Sequence, residues 1–455
     1  AYAVGIILRY IRPYLGRMSL GMGTKLGGTV LELFIPYILA HLIDNITPLG
    51  DMGKVAAWGG IMLLCALLGW GMNVAANRMA SATARDTVRT LRHDLFEKIM
   101  ALTARQVDSF SIPSLISRMT TDTYNIHRAV GMVQRMGVRA PILLIGGLIM
   151  TVSLDPVMAG VLALLMPILG VLVYGISKRS LPMFTAIQGA MDGMVRVVRE
   201  NTSGIRVIKA LSKEGYERRR FEGVNAEVAQ AEVRANVTMG LSRPLMNVVL
   251  NLGQVAVIIV GAYRVFRGQA EVGSIVAFLS YFIIMLNAIM AISRILIMLQ
   301  NALASAQRIG EVLLSQGELD ILPQSGHGGS GYHLEARDIS FSYIGKAKHL
   351  SGISFALHRG ESLGIIGPTG AGKSTLAALL LRFYDAQPGS ILLDGADIRS
   401  LPLGELRRHF GVGFQNDAVF KETIEVNITL GRIISMDAVA RATETAPAAQ
   451  YLQEA

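Results

Sequence analysis

The chain holds 455 residues, 51% of them hydrophobic and 17% charged, with a formal net charge of +10. A soluble domain carries about a quarter charged residues, so this composition excludes a wholly soluble chain and puts a large part of it in lipid. Basic residues facing anionic headgroups account for the charge and nucleic acid is not an expected partner, while the single cysteine, Cys65, sits in an apolar run and excludes an intrachain disulfide.

The chain opens on Ala1 without an initiator methionine and without a cleavable signal, so its start is expected to be trimmed. Residues 6–17 alternate apolar and basic side chains, predicting a short helix at the membrane interface. Crossing the hydrocarbon takes about 20 apolar residues. Six stretches qualify: 18–46, 55–80, 131–154, 156–176, 244–265 and 274–299. The connections around 48–54, 155 and 264–271 are short with few charges, whereas 85–128 and 178–243 are long and crowded with Arg and Lys. Positive loops stay inside, so both termini are expected in the cytoplasm, in a multi-pass protein of a bacterial cell membrane. Apolar residues recur at helical spacing over 82–102 and 187–211, which predicts spans that continue as cytoplasmic helices.

Residues 301–314 keep the helical pattern, and over 316–331 Gly, Ser, Pro and His take its place. The expected fold is multi-domain. An all-α six-helix transmembrane domain with long cytoplasmic extensions covers 1–314, a linker covers 315–331, and a partial α/β nucleotide-binding domain covers 332–455. Strands are predicted near 333–336, 339–343 and 353–357. About 125 residues follow the linker, too few for an ATPase of two lobes, so this domain is expected to be incomplete.

Within it, Gly367-Pro368-Thr369-Gly370-Ala371-Gly372-Lys373-Ser374-Thr375 satisfies the phosphate-loop pattern G-x-x-x-x-G-K-[ST]. A short buried strand over 361–366 and an apolar helix over 375–383 are predicted to flank it. Gly370 and Gly372 let the backbone curl so that successive N–H groups point inward, and the helix start adds its positive dipole end. The nest formed by Gly367, Thr369, Gly370, Ala371, Gly372, Lys373, Ser374 and Thr375 is expected to hold ATP, with Lys373 on the β- and γ-phosphates and Ser374 on Mg²⁺. An ATP site on a chain of membrane spans predicts powered transport.

Six spans, Phe341-Ser342-Tyr343, the phosphate loop, Gln415 and Thr423-Ile424-Glu425-Val426-Asn427-Ile428 together resemble a half-transporter of the ATP-binding cassette (ABC) exporter type, of the multidrug and lipid exporter kind. The resemblance implies that Tyr343 stacks on adenine, and that Gln415 touches Mg²⁺ and the attacking water, acting with Lys373 in catalysis. It also implies that two cytoplasmic stretches couple the domains. One is 110–122, with Leu115, Ser117, Arg118 and Asp122 matching. The other is 204–210, followed by Glu214 and Phe221. The family usually has Gly where this chain has Pro113, whose missing N–H and fixed φ predict a stiffer turn. No match follows Gly431 to the family's LSGGQ-like signature, its strand ending in Asp then Glu, or its switch histidine, and these are expected beyond Ala455.

Polar residues inside spans are costly and often functional, which nominates Lys25, Glu32, Asn247, Gln254, Asn287 and Arg294 as substrate contacts. Lys25 and Glu32, seven apart, are expected to share a helix face. The 22 methionines suit a soft lining for amphipathic, lipid or peptide substrates. The implied function is ATP-driven export or flipping of an amphipathic substrate by a dimer with alternating access. The alternative is a weakly hydrolysing regulatory half of a heterodimer.

Overall fold

The computed structural model describes the backbone of residues 2–240, 242–317, 319, 321–323, 331–343, 349–414 and 419–445. It divides into two compact units, one of Ala1–Leu102 with Gln106–Gly317 and one of Glu318–Ala455 with Thr103–Arg105.

The first unit is helical throughout. α1 (Tyr2–Ile11) leads into α2 (Leu15–His41) and α3 (Met52–Met100). The short α4 (Ala104–Phe110) and α5 (Ile112–Ser117) precede α6 (Thr123–Met132) and α7 (Arg139–Leu154). α8 (Pro156–Ser203), α9 (Ile205–Ala210), α10 (Glu214–Gly240), α11 (Ser242–Phe266) and α12 (Val272–Leu313) complete it. Helix starts are set by their caps. Asp51 accepts from the N–H groups of Gly53 and Lys54, and Asp155 from those of Val157 and Met158 with Pro156 in the first turn. The second oxygen of Asp155 accepts from Arg264 Nε at 2.7 Å, tying the α7–α8 connection to the end of α11.

Five helical stretches of the described residues are long and apolar enough to cross a membrane: Ala3–Leu49, Met52–Met100, Ile112–Leu154, Asn247–Phe266 and Val272–Leu313. They hold five of the six expected spans. The remaining one falls in the 48-residue α8, where Pro156–Leu165 is apolar and the side chains at 166, 169, 172, 173 and 176 lie outside the described residues.

Two cores hold the unit together. Toward the short connections, Met158, Leu162, Val257, Phe278, Tyr281, Phe282 and Met285 bury one another, and the Tyr281 hydroxyl donates to the Leu33 carbonyl at 2.6 Å. Toward the C-terminal ends of α3 and α12, Val88, Leu91, Leu95, Leu115, Ile126, Ile309 and Val312 form the second. α2 and α3 touch at backbone distance. A Cβ on Gly28 would stand 3.1 Å from the Gly69 carbonyl oxygen, so only small residues allow this contact.

Polar links pin the expected first coupling stretch to α12. Asp122 is 1% exposed and accepts from Arg308 Nε at 2.9 Å, from the Arg308 Nη2 and from the Ser305 hydroxyl at 2.9 Å. Arg118, also buried, donates to the Arg308 carbonyl at 2.5 Å and to Glu311 at 2.9 Å, over the ring of Phe110. Pro113 lies in the first turn of α5, where helix N–H groups have no helical partner, so its missing donor costs nothing there. The residue before α5, Ser111, has φ 63° and ψ 143°, a region open almost only to glycine.

In the second unit, β1 (Leu334–Phe341), β2 (Leu350–Leu357), β3 (Ser390–Leu393) and β4 (Ala396–Asp397) form an antiparallel sheet of order β2-β1-β3-β4. The two strands expected near 333–336 and 339–343 are one, kinked by a register shift between Ala336 and Ile339. α13 (Lys373–Leu380), α14 (Leu403–Arg408), α15 (Ile424–Thr429) and α16 (Met436–Thr445) follow. The strand expected over 361–366 is not formed. A strand needs a neighbour to pair with, none lies beside this segment among the described residues, and Leu363, Ile365 and Ile366 are exposed.

Asp122 is buried, while the Arg308 side chain is 48% exposed. Arg308→Ala strands a buried carboxylate and should cost about 3 kcal/mol, whereas Asp122→Ala leaves a cation that water can solvate and should cost about 1 kcal/mol. Melting temperatures of the two variants in detergent check this order.

Candidate nucleotide site

The phosphate loop depends on two left-handed glycines. Gly370 has φ 89° and Gly372 φ 92°, and a Cβ on Gly372 would run into the Leu350 side chain and within 3.1 Å of the His349 carbonyl oxygen. α13 starts at once after Gly372, and the Leu376 N–H closes its first turn on the Gly372 carbonyl at 2.9 Å. The first-turn N–H groups of a helix have no partner within it, so this end presents donors and positive potential. Lys373 is exposed and curls over the loop, its Nζ donating to the carbonyls of Gly367 at 2.7 Å and Pro368 at 2.9 Å. Ser374 is exposed beside it, free to meet a cation, whereas Thr375 is buried.

Tyr343 stands against this loop. Its hydroxyl donates to Thr375 Oγ1 at 3.1 Å, and its ring meets Phe341, His349 and Tyr384 edge-on at 4.9, 5.1 and 5.1 Å between centroids. The sequence brought Tyr343 and the loop into one site. It did not reveal the aromatic box that fixes the tyrosine, for which FSY and the FYD of 383–385 were the available signal. Gln415 lies outside the described residues. Downstream, Thr423 caps α15, and Asn427 holds the preceding turn by bonding the N–H and carbonyl of Phe420 and the carbonyls of Glu422 and Thr423.

The nominated polar residues of the spans separate. Lys25 is 3% exposed and its Nζ donates to Asn77 Oδ1 of α3 at 3.1 Å. Glu32 instead accepts from Arg139 of α7, at 2.6 and 2.9 Å. The two share a helix but face different neighbours, and neither Asn77 nor Arg139 was singled out by sequence. Asn247, Asn287 and Arg294 are exposed on α11 and α12, and Gln254 is half-buried. In the second coupling stretch, Gly204 opens α9 and Glu214 opens α10. A backbone N–H and the Lys209 ammonium hold the Glu214 carboxyl below its ordinary range.

Residues 18–289 match the family model of the ABC transporter transmembrane region, and residues 350–454 match the family model described as ABC transporter. Among curated proteins, an uncharacterized ABC transporter ATP-binding protein of Mycobacterium tuberculosis is 32% identical over 94% of this chain and 74% of its own length. A fatty acid ABC transporter ATP-binding/permease protein of Mycobacterium bovis is 31% identical over 82% of this chain and 58% of its own. An uncharacterized relative from Bacillus subtilis is 27% identical over 93% and 74%. With a family match that covers more than half of it and a phosphate loop folded onto the start of α13, the chain belongs to the ABC transporters, as a half-transporter of the exporter type.

Proposed function

We propose that this chain exports or flips an amphipathic substrate across the cell membrane as one half of a dimer, driven by ATP. The observation that carries this reading is the phosphate loop, with its left-handed glycines and Lys373 at the head of α13, on the same chain as the spans. ATP binds with its β- and γ-phosphates in the nest. Lys373 would leave the two loop carbonyls for the phosphates, Ser374 and Gln415 would hold Mg²⁺, which would neutralise phosphate charge, Gln415 would meet the attacking water, and Tyr343 would offer its ring to the adenine. Both termini lie in the cytoplasm.

The dimer is supported by unpartnered apolar surface. α8 and α10 pack along one another around Val197, Val228 and Ala235, yet Ile205, Val207 and Leu211 of the turn between them, and Tyr216, remain exposed. Such surface on a cytoplasmic extension suits a second half-transporter. Nucleotide held between two subunits binds the closed arrangement better than the open one, and that difference moves the spans between inward-open and outward-open states.

Gly372→Val should weaken ATP binding at least about tenfold in a fluorescent-nucleotide titration, because its Cβ displaces the loop. Lys373→Ala should abolish ATP-dependent accumulation in inside-out vesicles while the protein still inserts. Undiminished accumulation in that variant would sink the transport reading.

A further inference from the structure

The charges inside the spans do not balance. Glu32 pairs with Arg139 at 2.6 Å, and the charges of Arg139, Glu32 and Arg135 all act on the buried Lys25 ammonium, so three cations share this stretch with Glu32. Arg135 donates to the Ser81 hydroxyl at 3.1 Å rather than to a carboxylate, and among the described residues Glu32 is the one acidic side chain paired with any of the three cations. A purely structural cluster in lipid is expected to be neutral and satisfied, since each uncompensated charge is costly there.

Nor are its polar atoms satisfied. Arg139 uses a single nitrogen, Nη2, for both oxygens of Glu32, instead of the two-nitrogen fork that guanidinium offers a carboxylate. Its Nε is buried with no acceptor among the described residues. Lys25 has three N–H bonds to give and, among the described residues, places one of them on Asn77. The pair is also reachable, because the side chains of Arg139 and Glu32 are 31% and 32% exposed.

Depth fits a headgroup. Arg139 opens the 16-residue α7, so it stands about 23 Å from the Leu154 end, where the short connection lies, in a hydrocarbon layer of about 30 Å. That puts it near the opposite boundary, where an amphiphile's polar end meets its chain.

We propose that the cluster of Lys25, Arg135 and Arg139 is a binding site for the headgroup of an acidic amphiphile, a carboxylate or phosphate carried on an apolar chain. Glu32 occupies the place of that anion until it arrives. Arg139 makes the direct contact, and the buried Lys25 supplies positive potential. The inference rests on the transport reading for its biological sense, but the site itself needs no ATP.

The test is equilibrium binding of oleate and of uncharged oleyl alcohol to the full chain in phosphatidylcholine nanodiscs. Oleate should bind about tenfold tighter than the alcohol, the size of one charge-assisted hydrogen bond, and Arg139→Gln should erase that difference. Glu32→Gln, which frees Arg139, should tighten oleate binding severalfold, although a merely structural pair would lose stability and gain nothing. Phosphatidylglycerol added to the discs identifies the source. Competition with oleate assigns the site to a membrane lipid, and its absence assigns it to single-chain acids. Equal affinity for oleate and oleyl alcohol, or a folded Glu32→Gln that binds oleate no tighter, would overturn the site. Either result can stand while Lys373→Ala still abolishes transport, so the two readings fail separately.

Discussion

In hydrocarbon there is no water to satisfy a peptide group, so every N–H and C=O of a span must be bonded within the chain, and a helix is the simplest way to do it. Once begun, such a helix has no reason to stop at the lipid surface. α3, α8 and α12 run for 49, 48 and 42 residues, about twice what the hydrocarbon requires. The surplus carries each beyond the membrane as a continuous rod, and the remaining architecture follows from how those rods are pinned.

The pinning differs between the two ends. Near the short connections the rods are held by apolar burial and by Asp155 with Arg264, while along the extensions beyond the spans Asp122, Arg118, Arg308 and Glu311 add an ionic clasp beside the apolar core. Between them, inside the spans, lie the incompletely satisfied cations near Glu32.

Composition, span periodicity and loop charge made the helical architecture legible, because lipid imposes one pattern on every segment that crosses it. The phosphate loop was legible for another reason. Positive φ at Gly370 and Gly372 admits little but glycine, so geometry writes itself into residue identity. Pairings were harder to read. Lys25 and Glu32 looked like one face by spacing, yet they stand about two turns apart along the axis, and one meets Asn77 while the other meets Arg139. Residues 361–366 carry the apolar run of a strand, but a strand is made by its neighbour, and no local pattern supplies one.

The turn at Ser111 carries a further consequence. A non-glycine residue in that region of φ and ψ stores about 1–3 kcal/mol, and Pro113, two residues on, removes the freedom by which the backbone could relax. A compliant loop would absorb a push by changing its dihedrals. This turn instead sets the angle at which α5 leaves α4, and with it where Arg118 and Asp122 meet α12.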